Sequence, residues 1–211
     1  MALFKRKVRT RAEIVAAADR ARVRGRLKAA AAGYREALAS DPTDPSVHVK
    51  LGPVLARLGD AAAAAHSFRT AAQRHLDAGF TDRAAAVNAA AAGVLPLDAG
   101  FRLELARLEV LRGRKQDAVN VLVEGGRALA RAARLEAAIS LLRRALEVQP
   151  RHLEATLALA PALAATGERE EARALLERAL ATAPRRARRR IRWVLFRVAP
   201  SARSFLRWLA G

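Results

Sequence analysis

Cysteine is absent from this 211-residue chain, and aromatic residues make up only 4% of it. Without cysteine there are no disulfides, no thiol nucleophile and no cysteine-bound metal. The four histidines, His48, His66, His75 and His152, have no metal-ligand spacing and no paired carboxylates beside them. We therefore expect no catalytic residue, no metal and no cofactor. With 53 alanines and so few aromatic rings, the interior has to be built from helices that approach closely around small side chains.

Long apolar runs are also missing, since no uninterrupted stretch approaches the roughly 18 residues that a membrane-spanning helix needs. The first residues show no signal-peptide pattern, which, together with the lack of cysteine, predicts a protein of the reducing cytoplasm. A glycine-rich phosphate loop is absent too. The Gly125-Gly126 pair lies inside a helical pattern without a following Lys-Ser or Lys-Thr, and this favours close helix packing.

Acidic residues are missing from both ends of a chain whose formal net charge is +19. The first 12 residues contain five basic side chains, and residues 184–211 contain nine arginines. Two uncompensated basic ends predict contact with an anionic surface, for which lipid or nucleic-acid phosphate is the obvious candidate. Arginine outnumbers lysine 34 to 5, and together with the alanine excess this is typical of a high-GC bacterial genome.

Turn-forming residues are present at nearly constant intervals. They are Gly25, Pro42, Gly59, Gly79, Pro96, Gly113, Ala133, Pro150, Gly167 and Pro184. The successive gaps are 17 residues, except for two of 20. Each gap holds one helix of about four turns and a tight connection. The longer gaps add a second period of 54 residues, or three helices. We expect an all-α protein of about ten core helices.

Small and large residues also recur in a fixed order along these helices. The order is clearest at Gly25, Leu27, Ala30, Tyr34, Ala37 and Pro42; at Leu51, Gly52, Leu55, Gly59, Ala64, Phe68 and Ala71; and at Leu159, Ala160, Leu163, Gly167, Ala172, Leu176, Ala179 and Pro184. This pattern resembles the tetratricopeptide repeat. The resemblance covers residues 11–184 and implies a right-handed α-solenoid that acts as a non-enzymatic scaffold for a protein or peptide partner. In these frames Tyr34, Phe68, Leu142 and Leu176 should be buried at equivalent positions.

The helices of the 20-residue gaps, about Ala61–Asp77 and Lys115–Ala132, each fit two overlapping repeat frames. Three helices per 54-residue unit is an odd number. Equivalent helices should therefore alternate between the two layers of the stack. We place partner binding on the first helices of the best-matched pairs rather than on these long shared helices.

The resemblance implies a binding groove on those first helices, with candidate contacts at Val49, Pro53, Arg57, Leu157, Pro161 and Ala164. Pro53 and Pro161 both lie inside a helical pattern, and proline removes the hydrogen bond to the carbonyl four residues back. The carbonyls of Val49 and Leu157 are then either acceptors for a ligand or parts of a solvated kink that sets the curvature. The lysine and asparagine set that grips chaperone carboxylates in some members of the family is absent from the matching positions.

Residues 185–211 form a basic, aromatic segment after the solenoid, as residues 1–10 form a basic tail before it. Its candidate anion or membrane contacts are Arg185, Arg186, Arg188, Arg189, Arg190, Arg192, Trp193, Phe196, Arg197, Phe205 and Trp208. One alternative is a helix that caps the last repeat. The others are peripheral binding to an anionic membrane, at its inner face, and sequence-independent binding of nucleic acid. Exposed Trp193 and Trp208 would favour the membrane.

Overall fold

The computed structural model describes residues 9–200 and divides the chain into two compact units, residues 1–95 and 96–211. The described part of the first unit holds α1 (Arg11–Val23), α2 (Leu27–Leu38), α3 (Pro45–Arg57), α4 (Ala61–Asp77) and α5 (Thr81–Val94). That of the second holds α6 (Ala99–Leu111), α7 (Lys115–Arg131), α8 (Leu135–Val148), α9 (Leu153–Ala165), α10 (Arg169–Thr182) and α11 (Arg185–Val198). Every regular element in this range is an α-helix, so the predicted fold class is confirmed.

The predicted turn residues end the helices by adopting the left-handed conformation. The glycines with positive φ, between +72° and +96°, are Gly25, Gly59, Gly79, Gly113 and Gly167. The residue after each closes a hydrogen bond to the carbonyl five residues back, as Arg114 does to Glu109 at 2.8 Å. Ala133 takes the same position with a φ of +57° although it has a Cβ. The periodic turns therefore come from local backbone geometry.

In the first unit, large side chains are buried where the repeat frames predicted them. Tyr34 of α2 and Phe68 of α4 are fully buried, and the ring of Phe68 packs directly on the Cα of Gly52 in α3. The small residue on α3 thus makes room for the one large ring on α4. Leu142 and Leu176 are fully buried at the equivalent positions of the second unit, and this prediction is confirmed at all four residues.

The second unit is a stack in two layers. α6 contacts α8 across one layer, whereas α7 contacts α9 and α9 contacts α11 across the other. α6 and α9 begin 54 residues apart and lie in opposite layers, as an odd number of helices per unit requires. Gly126 lets α7 approach α8 closely, because a Cβ at this position would lie 2.5 Å from Cγ of Leu142. Close helix packing at the glycine pair is confirmed.

α11 continues this stack as its last described helix. One side of it, formed by Ala187, Ile191, Leu195 and Val198, is buried, and the helix contacts α9 and α10. Over the described residues, no helix combines the length and apolarity needed to span a bilayer. Phe205 and Trp208 lie outside the described residues, as does the start of the basic N-terminal tail. The boundaries predicted at residues 11 and 184 remain predictions.

Candidate functional site

The second unit has a groove where α7, α9 and α11 lie side by side in one layer. Its volume is about 610 Å³. It is lined by Arg127, Ala130 and Arg131 of α7, by Glu154, Leu157 and Ala158 of α9, and by Arg190, Trp193 and Val194 of α11. Successive turns of each helix supply these residues at three- and four-residue spacing, as one face of an α-helix must.

The groove has an apolar floor and a basic rim. Ala130, Leu157, Ala158 and Val194 are half-buried, so their side chains can still lose accessible surface to a ligand. The indole of Trp193 forms a wall and is 44% exposed. A smaller pocket of about 160 Å³, lined by Pro161, Ala164, Val194, Arg197 and Val198, extends the surface between α9 and α11. Val194 belongs to both cavities.

Glu154 is the single acid among the lining residues of both cavities and is already neutralised. Its carboxylate forms an ion pair with Arg127 and a second one with Arg190 at 2.7 Å. The hydrogen bond from Arg190 is the main reason that the pKa of Glu154 lies below its usual range, and Arg127 adds to the effect. Arg131 and Arg197 complete a set of four arginines against one carboxylate. The groove therefore has a net positive charge.

Pro161 lies inside α9 without interrupting it and is exposed toward α11. Because proline has no N–H, the carbonyl of Leu157 receives no intrahelical hydrogen bond from position 161. Leu157 itself lines the groove, so an acceptor without its helical donor lies next to the apolar floor. This supports the ligand-acceptor alternative of the two that the sequence left open.

α9 is held at its start by an unusual cap. His152 precedes the helix, and its Nδ1 accepts a hydrogen bond from the backbone N–H of Ala155 at 3.2 Å. Burial lowers the pKa of His152, and nearby Arg127 lowers it further against the opposing effect of Glu154. Only the neutral ring can accept at Nδ1, so the cap and the depressed pKa agree.

Three of the six predicted groove residues, Leu157, Pro161 and Ala164, lie together on this surface of α9. Sequence reasoning missed their neighbours on α7, Arg127, Ala130 and Arg131, because we excluded the long shared helices from the site. The layer alternation was the signal that could have found them. Helices two apart in the chain share a layer, which places α7, α9 and α11 on one face.

The other three predicted residues, Val49, Pro53 and Arg57, lie on α3 of the first unit, where Val49 and Pro53 are half-buried and Arg57 is exposed. Between α1 and α3, Lys50 donates to Asp19 at 2.8 Å, and the hydroxyl of Tyr34 donates to the same carboxylate at 2.7 Å. Burial alone would raise the pKa of Asp19, but these two hydrogen bonds outweigh it and lower the pKa. This network ties α1 and α2 to α3.

The predicted basic residues of α11 divide among three directions. Arg190, Trp193 and Arg197 face α9 through the groove and the smaller pocket. On the other side, Arg188 donates to the carbonyl of Ala183 at 3.1 Å, and Arg188 and Arg192 line a depression with Glu177 of α10.

The third direction lies opposite the buried side of α11. Arg185 and Arg189 are exposed there, and Phe196 is half-buried. The rings of Trp193 and Phe196 pack with centroids 6.1 Å apart at an angle of 34°.

Two family models match the sequence. Residues 18–59 match a model described as TPR repeat, and residues 129–190 match one described as tetratricopeptide repeat. The second match contains α9 and ends inside α11, so it includes much of the groove. None of the curated proteins matches the sequence.

Solved structures with a similar fold include a tetratricopeptide repeat protein from Parabacteroides merdae, which is 13% identical with a TM-score of 0.34 and matches over 95% of this chain and 90% of its own. PilW, a type IV pilus biogenesis factor, is 16% identical with a TM-score of 0.36, over 95% and 90% of the two chains. The Rap conjugation gene regulator of plasmid pLS20, solved with the Phr* peptide, is 15% identical with a TM-score of 0.43, over 100% of this chain and 67% of its own.

Proposed function

Because this chain is a tetratricopeptide-repeat protein, we propose that it is a non-enzymatic scaffold whose second unit binds an acidic, partly apolar peptide segment of a partner protein. The observation that carries the proposal is the groove itself. It combines a half-buried apolar floor with four arginines and a single, already paired carboxylate. Stacked helical repeats present continuous surfaces of this kind to partners.

The composition of the groove defines the chemistry of the segment. Leu157, Ala158 and Val194 favour an aliphatic or aromatic side chain, because burying apolar surface contributes roughly 25 cal/mol per Å². Arg131 and Arg197 favour carboxylates along the rim, since guanidinium groups bind carboxylates in bidentate geometry. A lysine-rich segment would meet the same rim with charge repulsion.

Two synthetic probes of about 15 residues test the proposal by fluorescence anisotropy, one built from Glu and Leu and one from Lys and Leu in the same order. We expect the Glu-Leu probe to bind and the Lys-Leu probe to bind at least tenfold more weakly. Leu157→Asp should weaken the acidic probe by tenfold or more, which corresponds to about 1.4 kcal/mol. Leu111→Asp changes an exposed leucine at the end of α6 and is the matched control.

Glu154→Gln gives a result of the opposite sign. It removes the carboxylate that pairs with Arg127 and Arg190, so the acidic probe should bind several-fold more tightly although two ion pairs are lost. Circular dichroism verifies that each variant is folded. Equal binding of the two probes, or an acidic probe insensitive to both Leu157→Asp and Glu154→Gln, would place partner binding elsewhere.

A further inference from the structure

The side of α11 that faces away from α9 and α10 has a composition that the peptide groove does not explain. α11 contains seven arginines and no acidic residue. Among the described residues only Arg190 of these seven forms an ion pair, with Glu154. Capping of the stack uses Ala187, Ile191, Leu195 and Val198 and needs none of the outward arginines. A helix that only covered the last repeat would gain nothing from this concentration of one charge.

Aromatic rings lie among these arginines. Trp193 is 44% exposed and packs against Phe196. With the buried side of α11 fixed by Ile191 and Leu195, the 3.6-residue period puts Arg185, Arg189, Trp193 and Phe196 on the opposite side. We call these four residues the outer face of α11.

We infer that the outer face of α11 docks on the surface of an anionic lipid bilayer. Guanidinium groups bind lipid phosphates through paired hydrogen bonds, and each basic residue near an anionic leaflet adds to the attraction. Tryptophan and phenylalanine beside them suit the headgroup boundary, where a ring is half apolar and half hydrated. Helix and bilayer surface lie parallel in this arrangement, and the groove between α9 and α11 remains open to its partner.

Lipid fits this face better than nucleic acid does, because phosphate contacts alone need no adjoining aromatic pair. The sequence beyond the helix continues in the same style, with Arg203 and Arg207 alternating with Phe205 and Trp208 and no acid. The charge of the face and its aromatic pair both complement an anionic headgroup layer.

Co-sedimentation of the full chain with vesicles tests the inference at about 0.15 M salt. One set is phosphatidylcholine, and the other contains about one-third phosphatidylglycerol. We expect binding to the anionic vesicles only. Arg185→Gln with Arg189→Gln should weaken it about tenfold or more, and Phe196→Ser several-fold. Arg35→Gln with Arg74→Gln removes the same charge from exposed positions of α2 and α4 and should leave it unchanged.

Trp193 supplies a direct signal. The chain has two tryptophans, so Trp208→Phe leaves Trp193 as the only one. Its emission should shift to the blue with anionic vesicles and become protected from acrylamide. Leu157→Asp should not alter vesicle binding, which separates this result from failure of the peptide groove.

Three outcomes overturn the inference. They are no binding by the full chain, binding that survives both the arginine pair and the Phe196→Ser change, and binding of duplex DNA without binding of vesicles.

Discussion

Gly52 of α3 and Phe68 of α4 are in direct contact, and a Cβ on Gly52 would lie 2.8 Å from the phenyl ring. The ring is fully buried, so it cannot move toward solvent. Gly52→Ala should therefore lower the free energy of unfolding by about 1–3 kcal/mol, the usual effect of overpacking. Denaturant unfolding followed by circular dichroism measures the change.

Gly93 provides the control for that prediction. It lies near the end of α5, and nothing would contact a Cβ there within 4 Å. Gly93→Ala should raise the free energy of unfolding by up to about 1 kcal/mol, because alanine favours the helix. A loss of stability at Gly93 as large as that at Gly52 would show that contact with Phe68 is not the cause.

Ala133 has a left-handed φ of +57° at the end of α7, where the other turns of this type contain glycine. Ala133→Gly should raise the free energy of unfolding by roughly 1 kcal/mol, since a Cβ in this conformation costs about 1–2 kcal/mol and glycine has greater freedom when unfolded. Gly113→Ala, at the matching turn after α6, should lower it by a similar amount. Thermal melting of the two variants should give shifts of opposite sign.

Tyr34 is the only tyrosine in the chain, so its ionisation can be followed directly by the ultraviolet absorbance of phenolate. Burial and the hydrogen bond to Asp19 raise its pKa to about 12. The neutral phenol is favoured in the folded state. Its contribution to stability is therefore complete below pH 10, the ordinary value, and is lost as the pH rises toward 12. Asp19→Asn should lower the pKa of Tyr34, and an unchanged titration would contradict the role of that carboxylate.

His152 should make the stability of the protein depend on pH. Its pKa is lowered in the folded state from an ordinary 6.5, because burial disfavours the charged ring. Above pH 6.5 the neutral ring caps α9 at full strength, and as the pH falls through 6.5 toward the folded-state pKa this contribution is lost. Asn also caps helices but does not titrate.

The comparison is therefore between wild type and His152→Asn, melted at pH 7.5 and 5.5. Wild type should lose more stability between the two pH values. His75, whose pKa burial also lowers, contributes equally to both proteins and cancels. Equal losses in the two proteins would show that the His152 cap is not sensitive to pH.

The fold could be predicted because its determinants are local and repeated. Each turn glycine ends a helix through its own φ, and each 17-residue interval permits only one helix of that length. Tyr34, Phe68, Leu142 and Leu176 could be assigned to the core since each occupies the same register in its helix. The groove could be predicted only in part. Leu157, Pro161 and Ala164 are close together on one helix, whereas Arg127 and Arg190 are separated from them by whole helices.

The sequence by itself determined the helices, their turns, the alternation of layers and the basic character of the C-terminal segment, because these depend on residue type and spacing along the chain. Tertiary structure alone decided which arginines are available. α11 packs on α9 and α10 through Ile191 and Leu195, and this fixes its rotation. Arg190 is thereby directed to Glu154, Arg188 to the carbonyl of Ala183, and Arg189 to solvent. Burial of one apolar side set these three environments, which the run of arginines did not distinguish.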